Sequence, residues 1–191
     1  MGDSLEFGHE ATLWWPVADW KPADIDTRGM TKSEADKLQP IHPQLTILAE
    51  SQKLLIIAAL KTHASLSGYP HHHVKKITGD VLLVLGEIFN NVLFHAHEAN
   101  PNKKLSLRWW IRQQVLEMIF KDSGQGFDVR AALEYDPTLP ENLETPGRRG
   151  VMLITTYASQ AEWSEGGTKI TVRKNLSISP DTEPAEAVTA A

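Results

Sequence analysis

The feature that most constrains the fold is an apolar helical segment that carries a polar residue at nearly every turn. Glu87, Asn91, His95 and Glu98 follow one another at intervals of four, four and three residues, so they share one face of a helix. A polar stripe on a largely buried helix needs either solvent or specific partners along its length. A carboxylate and an amide one turn apart also offer the oxygen ligands that Mg²⁺ prefers. The apolar positions around the stripe are Val81, Leu82, Leu83, Val84, Leu85, Ile88, Phe89, Val92 and Leu93.

The segments on either side of this helix predict an α/β two-layer sandwich. We expect a mixed, mostly antiparallel sheet with helices on one face, and the lack of alternating βαβ units argues against a Rossmann fold. The predicted elements are a strand at 45–48, a helix capped by Ser51, the polar-stripe helix from Val74 or Thr78 to about Glu98, a hairpin at 104–111 and 114–120, a helix at 150–158, and a second hairpin at 161–164 and 168–174.

Composition divides the chain into three parts. Residues 1–44 contain Trp14, Trp15 and Trp20 among prolines and aspartates without a sustained period, which predicts an irregular arm. Three tryptophans carry much apolar area, so we expect them to pack on this domain or on a partner. Residues 45–176 form the predicted domain, and residues 177–191, rich in acids, prolines and alanines, form a predicted flexible tail.

Charge and cysteine content exclude several classes of function. The net charge of -5 argues against a protein that binds nucleic acid by neutralising phosphates. The chain has no cysteine, so disulfides and thiolate metal sites are excluded. The longest apolar run, residues 54–60, is far shorter than the roughly 20 residues of a membrane span. We therefore expect a cytoplasmic protein that contacts neither membrane nor nucleic acid directly.

Two glycine-containing segments are candidates for ligand contact. Asp122-Ser-Gly-Gln-Gly-Phe127 follows a predicted strand, where glycines let the backbone approach a ligand and a carboxylate can accept a hydrogen bond from an amino group. Gly147-Arg148-Arg149-Gly150 precedes an apolar helix, whose free N–H groups and neighbouring arginines suit phosphate. Each segment has a plain alternative: an ordinary turn in the first case, and a helix start with solvated arginines in the second.

The order of these segments is more specific than any one of them. Glu87-Ile-Phe-Asn-Asn91-Val-Leu-Phe-His95, Asp122-Ser-Gly-Gln-Gly-Phe127, Arg149-Gly150-Val-Met-Leu-Ile154 and Gly167-Thr168 resemble the N, G1, G2 and GT motifs of the GHKL ATPase superfamily. The resemblance covers about residues 45–176 and implies the GHKL (Bergerat) ATP-binding fold. The short interval between the second and third motifs resembles the anti-sigma-factor serine/threonine kinases.

The resemblance implies a role for each matching residue. Glu87 falls at the general base that activates a protein serine, and Asn91 at the Mg²⁺ ligand. Asp122 falls at the residue that reads the adenine amine, and Thr168 at a hydroxyl near the adenine end. The remaining implied ATP-binding positions are His95 at the helix end near the lid, Gly124, Gly126 and Phe127 in the glycine loop, and Arg148, Arg149, Gly150 and Val151 in the ATP lid.

The implied function is that of a kinase in a partner-switching system. Its cofactors are ATP and Mg²⁺, and its substrate is an anti-sigma factor antagonist, a small STAS-like protein. The second implied partner is a sigma factor or an equivalent regulator, and members of this family often form homodimers. Two alternatives remain open: a nucleotide-binding interaction module that sequesters a partner, and the ATPase domain of a histidine-kinase-like system.

The tract His71-His72-His73 has two interpretations. Consecutive histidines can bind a transition metal, but neither an acid nor a cysteine lies beside them in sequence. We therefore expect a tract without a metal.

Overall fold

The computed structural model describes residues 7–14, 43–96, 103–142 and 149–178. Its elements, in chain order, are strand β1 (Phe7–Trp14), helices α1 (Pro43–Leu66) and α2 (His71–Asn90), a π-helical segment (Asn91–Ala96), strands β2 (Lys104–Arg112) and β3 (Val115–Asp122), helix α3 (Val129–Glu134), a 3₁₀ turn (Pro140–Asn142), helix α4 (Gly150–Tyr157), strand β4 (Gln160–Ser164), a 3₁₀ turn (Glu165–Gly167) and strand β5 (Lys169–Asn175).

The described strands form one five-stranded sheet in the order β1-β2-β3-β5-β4. Every neighbouring pair is antiparallel, so this sheet is antiparallel throughout and the predicted α/β sandwich is confirmed. Both predicted hairpins are present. The β2–β3 turn places Gln113 and Gln114 at φ 47° and 62°, the left-handed pair that a two-residue hairpin loop requires.

The core lies between one face of the sheet and the helices. Alternate residues of β2 are buried (Leu105, Leu107, Trp109 and Ile111), as the period of two in a half-covered strand requires. They pack with β3, β5, α1, α2 and α4 in one cluster that includes Ile56, Leu60, Val84, Leu85, Phe89, Phe120, Ile154 and Val172. The opposite face carries charged pairs, including Arg108 with Glu10 and Arg173 with Glu117.

The predicted strand at residues 45–48 is wrong. Helix α1 begins at Pro43 and runs unbroken to Leu66, so Ser51 lies inside the helix and does not cap it. A short apolar run has no period long enough to separate strand from helix. Pro43 was the better signal, because proline is favoured at the first position of a helix, where its missing N–H costs nothing.

The predicted irregular arm contains a strand. Residues Phe7–Trp14 pair along their whole length with β2, from Phe7 opposite Ile111 to Trp14 opposite Lys104. This strand forms because it pairs with a strand distant in sequence, so no local hydrophobic period predicts it. The rest of the arm, the tail beyond residue 178 and the predicted packing of the tryptophan side chains at 14, 15 and 20 lie outside the described residues.

Two further helices differ from the predictions. Helix α2 begins at His71, directly after Pro70, earlier than either predicted start. Helix α3 was missed, although Asp128 caps it by accepting a hydrogen bond from the Ala131 N–H at 2.9 Å. An aspartate followed by Val-Arg-Ala-Ala-Leu-Glu is a recognisable helix start. Among the described residues, none of the helices is both long enough and apolar enough to span a bilayer.

Candidate functional site

Glu87 in the last turn of α2 and Asn91 at the start of the π-helical segment stand one turn apart, both partly buried, as the polar stripe predicted. The Asn91 N–H donates to the carbonyls of Glu87 and Ile88, so the helix continues without a break into the π-helical segment. Buried Ile88, Phe89 and Val92 hold this part of the helix on the core. The polar side chains are therefore presented from a rigid support.

The N-terminus of α4 lies against these two side chains. A Cβ at Gly150 would lie 2.9 Å from the Glu87 Oε2 and 3.2 Å from the Asn91 Oδ1, closer than ordinary packing permits. Only glycine leaves room for this approach. Arg149 precedes the helix with an exposed side chain that makes no capping hydrogen bond. The first turn of a helix carries N–H groups without intrahelical partners and the positive end of the helix dipole.

The glycine loop, residues 122–127, lies against the end of the π-helical segment that continues α2. A Cβ at Gly124 would lie 2.8 Å from the Ala96 carbonyl oxygen, at the last residue of the π-helical segment. The Asp122 carboxylate accepts the Gly124 N–H at 2.6 Å, which orients that side chain. Lys103 donates to the same Ala96 carbonyl and so caps this helix end. The loop therefore packs against the end of the helical segment that carries Asn91.

The other side of the loop packs on the turn before β5. Gly126 and Gly167 both have positive φ, 73° and 89°, and each lies too close to the opposite backbone to accept a side chain. The Phe127 N–H donates to the Gly166 carbonyl at 3.0 Å, and the Asp122 N–H donates to the Thr168 carbonyl at 2.9 Å. Backbone contacts thus join these two segments directly.

The structure therefore brings the four sequence segments together in one region. Residues 166–168 contact the glycine loop, the glycine loop contacts the end of the π-helical segment, and Gly150 contacts Glu87 and Asn91. Nothing in the sequence spacing required these contacts, because the segments are separated by as many as 81 residues between Glu87 and Thr168. Arg148 and the side chain of His95 lie outside the described residues, so their roles stay predictions.

Charged and hydroxyl groups near the turn are already engaged within the chain. The Thr168 hydroxyl donates to the Glu165 carbonyl at 2.8 Å, which leaves its oxygen as an acceptor. The hydrogen bond from Lys121, with the nearby charge of Lys169, lowers the pKa of the Glu165 carboxyl. Glu165 is therefore ionised at neutral pH and helps to hold the turn on β3.

The histidine tract forms part of the helix start and of the core. His73 is buried, and its Nε2 lies 2.9 Å from the Leu176 carbonyl oxygen. The rings of His63, Tyr69 and His73 pack edge to face, with centroids 6.1 and 5.3 Å apart. In the part of the chain that the structure describes, no cluster of three or more histidine, aspartate or glutamate residues is arranged to hold a metal ion. The tract thus has a packing role.

Comparison with known families decides what this site is. The model of the histidine kinase-like ATPase domain matches residues 55–174, more than half of the chain. The chain belongs to this family. The match includes the contacts described above among residues 87–168, whereas β1 lies before it and Leu176 after it. No curated protein matches the chain.

The residues of this ATPase domain fit a magnesium nucleotide. The Glu87 carboxylate and the Asn91 amide oxygen are hard ligands, and they converge on the N-terminus of α4, which favours anions. Gly150 keeps the space between them free of a side chain. Asn91 would hold the metal side of the nucleotide with Glu87 beside it, and Arg149 with the first turn of α4 would hold its phosphates. Asp122 would meet the base.

Proposed function

We propose that this ATPase domain is a Mg-ATP-dependent protein serine/threonine kinase that works as a partner-switching regulator of the anti-sigma type. The observation that carries the proposal is the position of Glu87, whose carboxylate lies beside the Asn91 amide at Gly150. Nucleotide binding alone needs the metal ligand and the helix end. A carboxylate at this point suits the additional task of accepting a proton from an attacking hydroxyl.

In the proposed reaction a serine Oγ of the protein substrate attacks the γ-phosphorus of ATP, and ADP leaves. Glu87 accepts the serine proton, and Asn91 keeps the metal in place. When bound, Mg²⁺ neutralises phosphate charge, which is most of what phosphoryl transfer requires. Arg149 and the N–H groups of α4 stabilise the negative charge that remains on the phosphate oxygens. His95, Arg148 and Val151 complete the phosphate side, in the roles that the motifs imply.

The adenine end is proposed to lie along the glycine loop. The Asp122 carboxylate is oriented by the Gly124 N–H, which prepares it to accept a hydrogen bond from the exocyclic amine. Gly126 and Gly167 fix the neighbouring backbone, and Phe127 and Thr168 stand beside it. This arrangement supports adenine as the preferred base.

The proposed partners are a small STAS-like antagonist, which is phosphorylated, and a sigma factor or equivalent regulator, which is bound in alternation. Switching between them requires that ATP and ADP change the relative affinity of the domain for the two proteins. A homodimer and a cytoplasmic location belong to the same proposal. The four motifs and the short interval between Asp122 and Gly150 support this branch of the family.

The matched family favours a second candidate, the ATPase domain of a histidine-kinase-like system. The two candidates use the same nucleotide site and differ in the residue that accepts the phosphoryl group. Phosphoserine survives acid and is cleaved by alkali, whereas phosphohistidine is cleaved by acid. The stability of the product therefore distinguishes them.

The test is phosphate transfer from γ-labelled Mg-ATP to proteins of the source lysate. Wild type is compared with Glu87→Gln, which keeps the shape of the side chain, and with Asn91→Ala. Glu162→Gln, at an exposed position on β4, is the matched control for loss of a carboxylate. ATP binding is measured for each variant by titration with a fluorescent analogue.

We expect wild type and Glu162→Gln to label one small protein on serine. Glu87→Gln should bind ATP without labelling, and Asn91→Ala should lose Mg²⁺-dependent binding. Binding without any labelling by wild type would contradict the kinase proposal and favour a nucleotide-gated interaction module. An acid-labile label would favour the histidine-kinase-like candidate.

A further inference from the structure

Helix α4 is held at its C-terminus by a lysine that the motifs do not include. The Lys174 Nζ, at the end of β5, donates to the Tyr157 carbonyl at 2.7 Å and to the Asp80 Oδ2 at 2.7 Å. The Lys174 and Asp80 side chains are only 13% and 12% exposed. One ammonium group thus joins the last residue of α4 to α2 and to the sheet.

The two ends of α4 contact α2 at matched spacings. Asp80 precedes Glu87 by seven residues, and Gly150 precedes Tyr157 by seven residues. Seven residues rise about 10 Å along a helix. Gly150 lies at Glu87, and Tyr157 is tied to Asp80, so α4 runs antiparallel to α2 from Glu87 back to Asp80. Buried Ile154 anchors the middle of α4 in the core.

The chemistry of this contact explains why a lysine suits it. The Tyr157 carbonyl belongs to the last turn of α4, where carbonyls lack intrahelical donors and the helix dipole is negative. An ammonium group has three donors, so it can serve this carbonyl and the Asp80 carboxylate together. Burial raises the pKa of Asp80, but the hydrogen bonds from Lys174 and Lys76 outweigh it and lower that pKa overall. Asp80 is therefore ionised and holds Lys174.

We propose that Lys174 is a positioning residue that sets the N-terminus of α4 against Glu87 and Asn91 by fixing the other end of the helix on Asp80. The proposal rests on the proposed function, because it assumes that the first turn of α4 meets the phosphates. A helix of eight residues held at both ends and in the middle cannot slide along α2. Without the C-terminal attachment, the packing of Ile154 and Tyr157 and the Gly150 contact remain to align it.

The test compares Lys174→Met with Lys76→Met in the full chain. Both substitutions remove a cation that binds Asp80, but Lys76 is 62% exposed and its ammonium lies 3.2 Å from the Asp80 carboxylate. Lys174→Gln is the second variant, because its amide keeps a donor for the Tyr157 carbonyl without the charge. Amide hydrogen exchange is measured without nucleotide at Leu153, whose N–H donates to the Arg149 carbonyl at 2.9 Å. Affinities for ATP and ADP are then measured under conditions where circular dichroism shows each variant folded.

For Lys174→Met we expect exchange at Leu153 to accelerate, and ATP affinity to fall about fivefold or more, the size of one helix-end charge interaction. Affinity for ADP should fall less, Lys76→Met should match wild type, and Lys174→Gln should be intermediate. Equal effects of Lys76→Met and Lys174→Met would overturn the proposal, as would wild-type exchange and affinity in folded Lys174→Met or Lys174→Gln. If wild type binds no ATP, the proposed function fails, while the exchange measurement still decides whether Lys174 aligns the helix.

Discussion

The candidate site has a loop half, made by residues 122–127 and 166–168, and a helical half, made by α2 and α4. The loop half is joined by backbone contacts: the Phe127 N–H bonds the Gly166 carbonyl, the Asp122 N–H bonds the Thr168 carbonyl, and no side chain fits at Gly126 against Gly166 or at Gly167 against Phe127. Side chains join the helical half, where Glu87 and Asn91 approach Gly150 and Lys174 links Tyr157 to Asp80.

This difference predicts how each half responds to substitution. Backbone contacts depend on conformation, so a change of glycine in the loop half should alter folding. Side-chain contacts in the helical half can change while both helices stay on the core, so function should be lost before stability. The loop half would then be rigid, and the helical half would be adjustable.

The largest effect should come from Glu87→Gln in the helical half. Loss of a general base costs typically 10²- to 10⁴-fold in rate, so phosphotransfer should fall by about that factor. The free energy of unfolding should stay within about 0.5 kcal/mol of wild type, because the substitution is isosteric and partly exposed. Single-turnover transfer and urea unfolding measure the two quantities. If Glu87→Gln keeps most of the transfer rate, Glu87 is not the general base.

Gly126→Ala should have the largest effect in the loop half, and on stability. Its positive φ and its overlap with the Gly166 carbonyl should together cost roughly 2 to 4 kcal/mol of unfolding free energy. Gly68→Ala is the control, since Gly68 shares the positive φ but has open space around it, and about 1 kcal/mol is expected there. Equal losses in urea unfolding would show that conformation alone, and not close packing, specifies the loop half.

Gly150→Ala should separate function from stability in the helical half. The added methyl group must displace Glu87 and Asn91, so ATP affinity should fall about tenfold, equivalent to about 1.4 kcal/mol. Stability should change by less than about 1 kcal/mol, because alanine favours a helix. Gly79→Ala on α2, with open space around it, should leave affinity unchanged. Unfolding of Gly150→Ala under conditions where Gly79→Ala is folded would contradict the comparison.

The smallest effect is a pH dependence of stability that comes from His63 on α1, whose ring packs on Tyr69 and through it on His73 of α2. Burial lowers the pKa of His63 below its ordinary 6.5, so the folded state favours the neutral ring. Its contribution to stability is complete above pH 6.5 and is lost as the pH falls from there through the folded-state pKa. His63→Gln should flatten this part of the stability profile in urea unfolding, whereas exposed His72→Gln should not. Identical stability profiles for both variants would show that His63 does not cause the pH dependence.

Much of the fold was accessible from sequence, for identifiable reasons. Both hairpins and the helix beginning at Gly150 were predicted to within about two residues, because each has a clear period and a glycine or polar turn. The α2 stripe was found because four-residue spacing on an apolar helix is a strong pattern. The roles of the site residues themselves stay predictions until nucleotide binding is measured.

The failures have two causes. The starts of α1 and α3 had local signals, Pro43 and Asp128, that the predictions did not use, whereas β1 and the role of Lys174 depend on distant partners. Strand β1 exists because it pairs with β2, 102 residues away between the paired residues Gly8 and Trp110, and its own sequence shows no strand period. The π-helical turn at Asn91–Ala96 has no sequence signal either. From the sequence, Lys174 is only the last residue of a predicted strand. The packing of α4 shows that its ammonium binds the Tyr157 carbonyl.

The sequence by itself predicted which residues bind a nucleotide, because carboxylate, amide and glycine chemistry depends on residue type and local spacing. It also predicted the glycines of the loop half, where Gly126 and Gly167 have the positive φ that favours glycine. The tertiary structure decided the distance from Gly150 to Glu87 and Asn91, and the attachment of α4 through Lys174. Those distances follow from how α2, α4 and β5 pack together, and the free energy of packing is a property of all three elements at once.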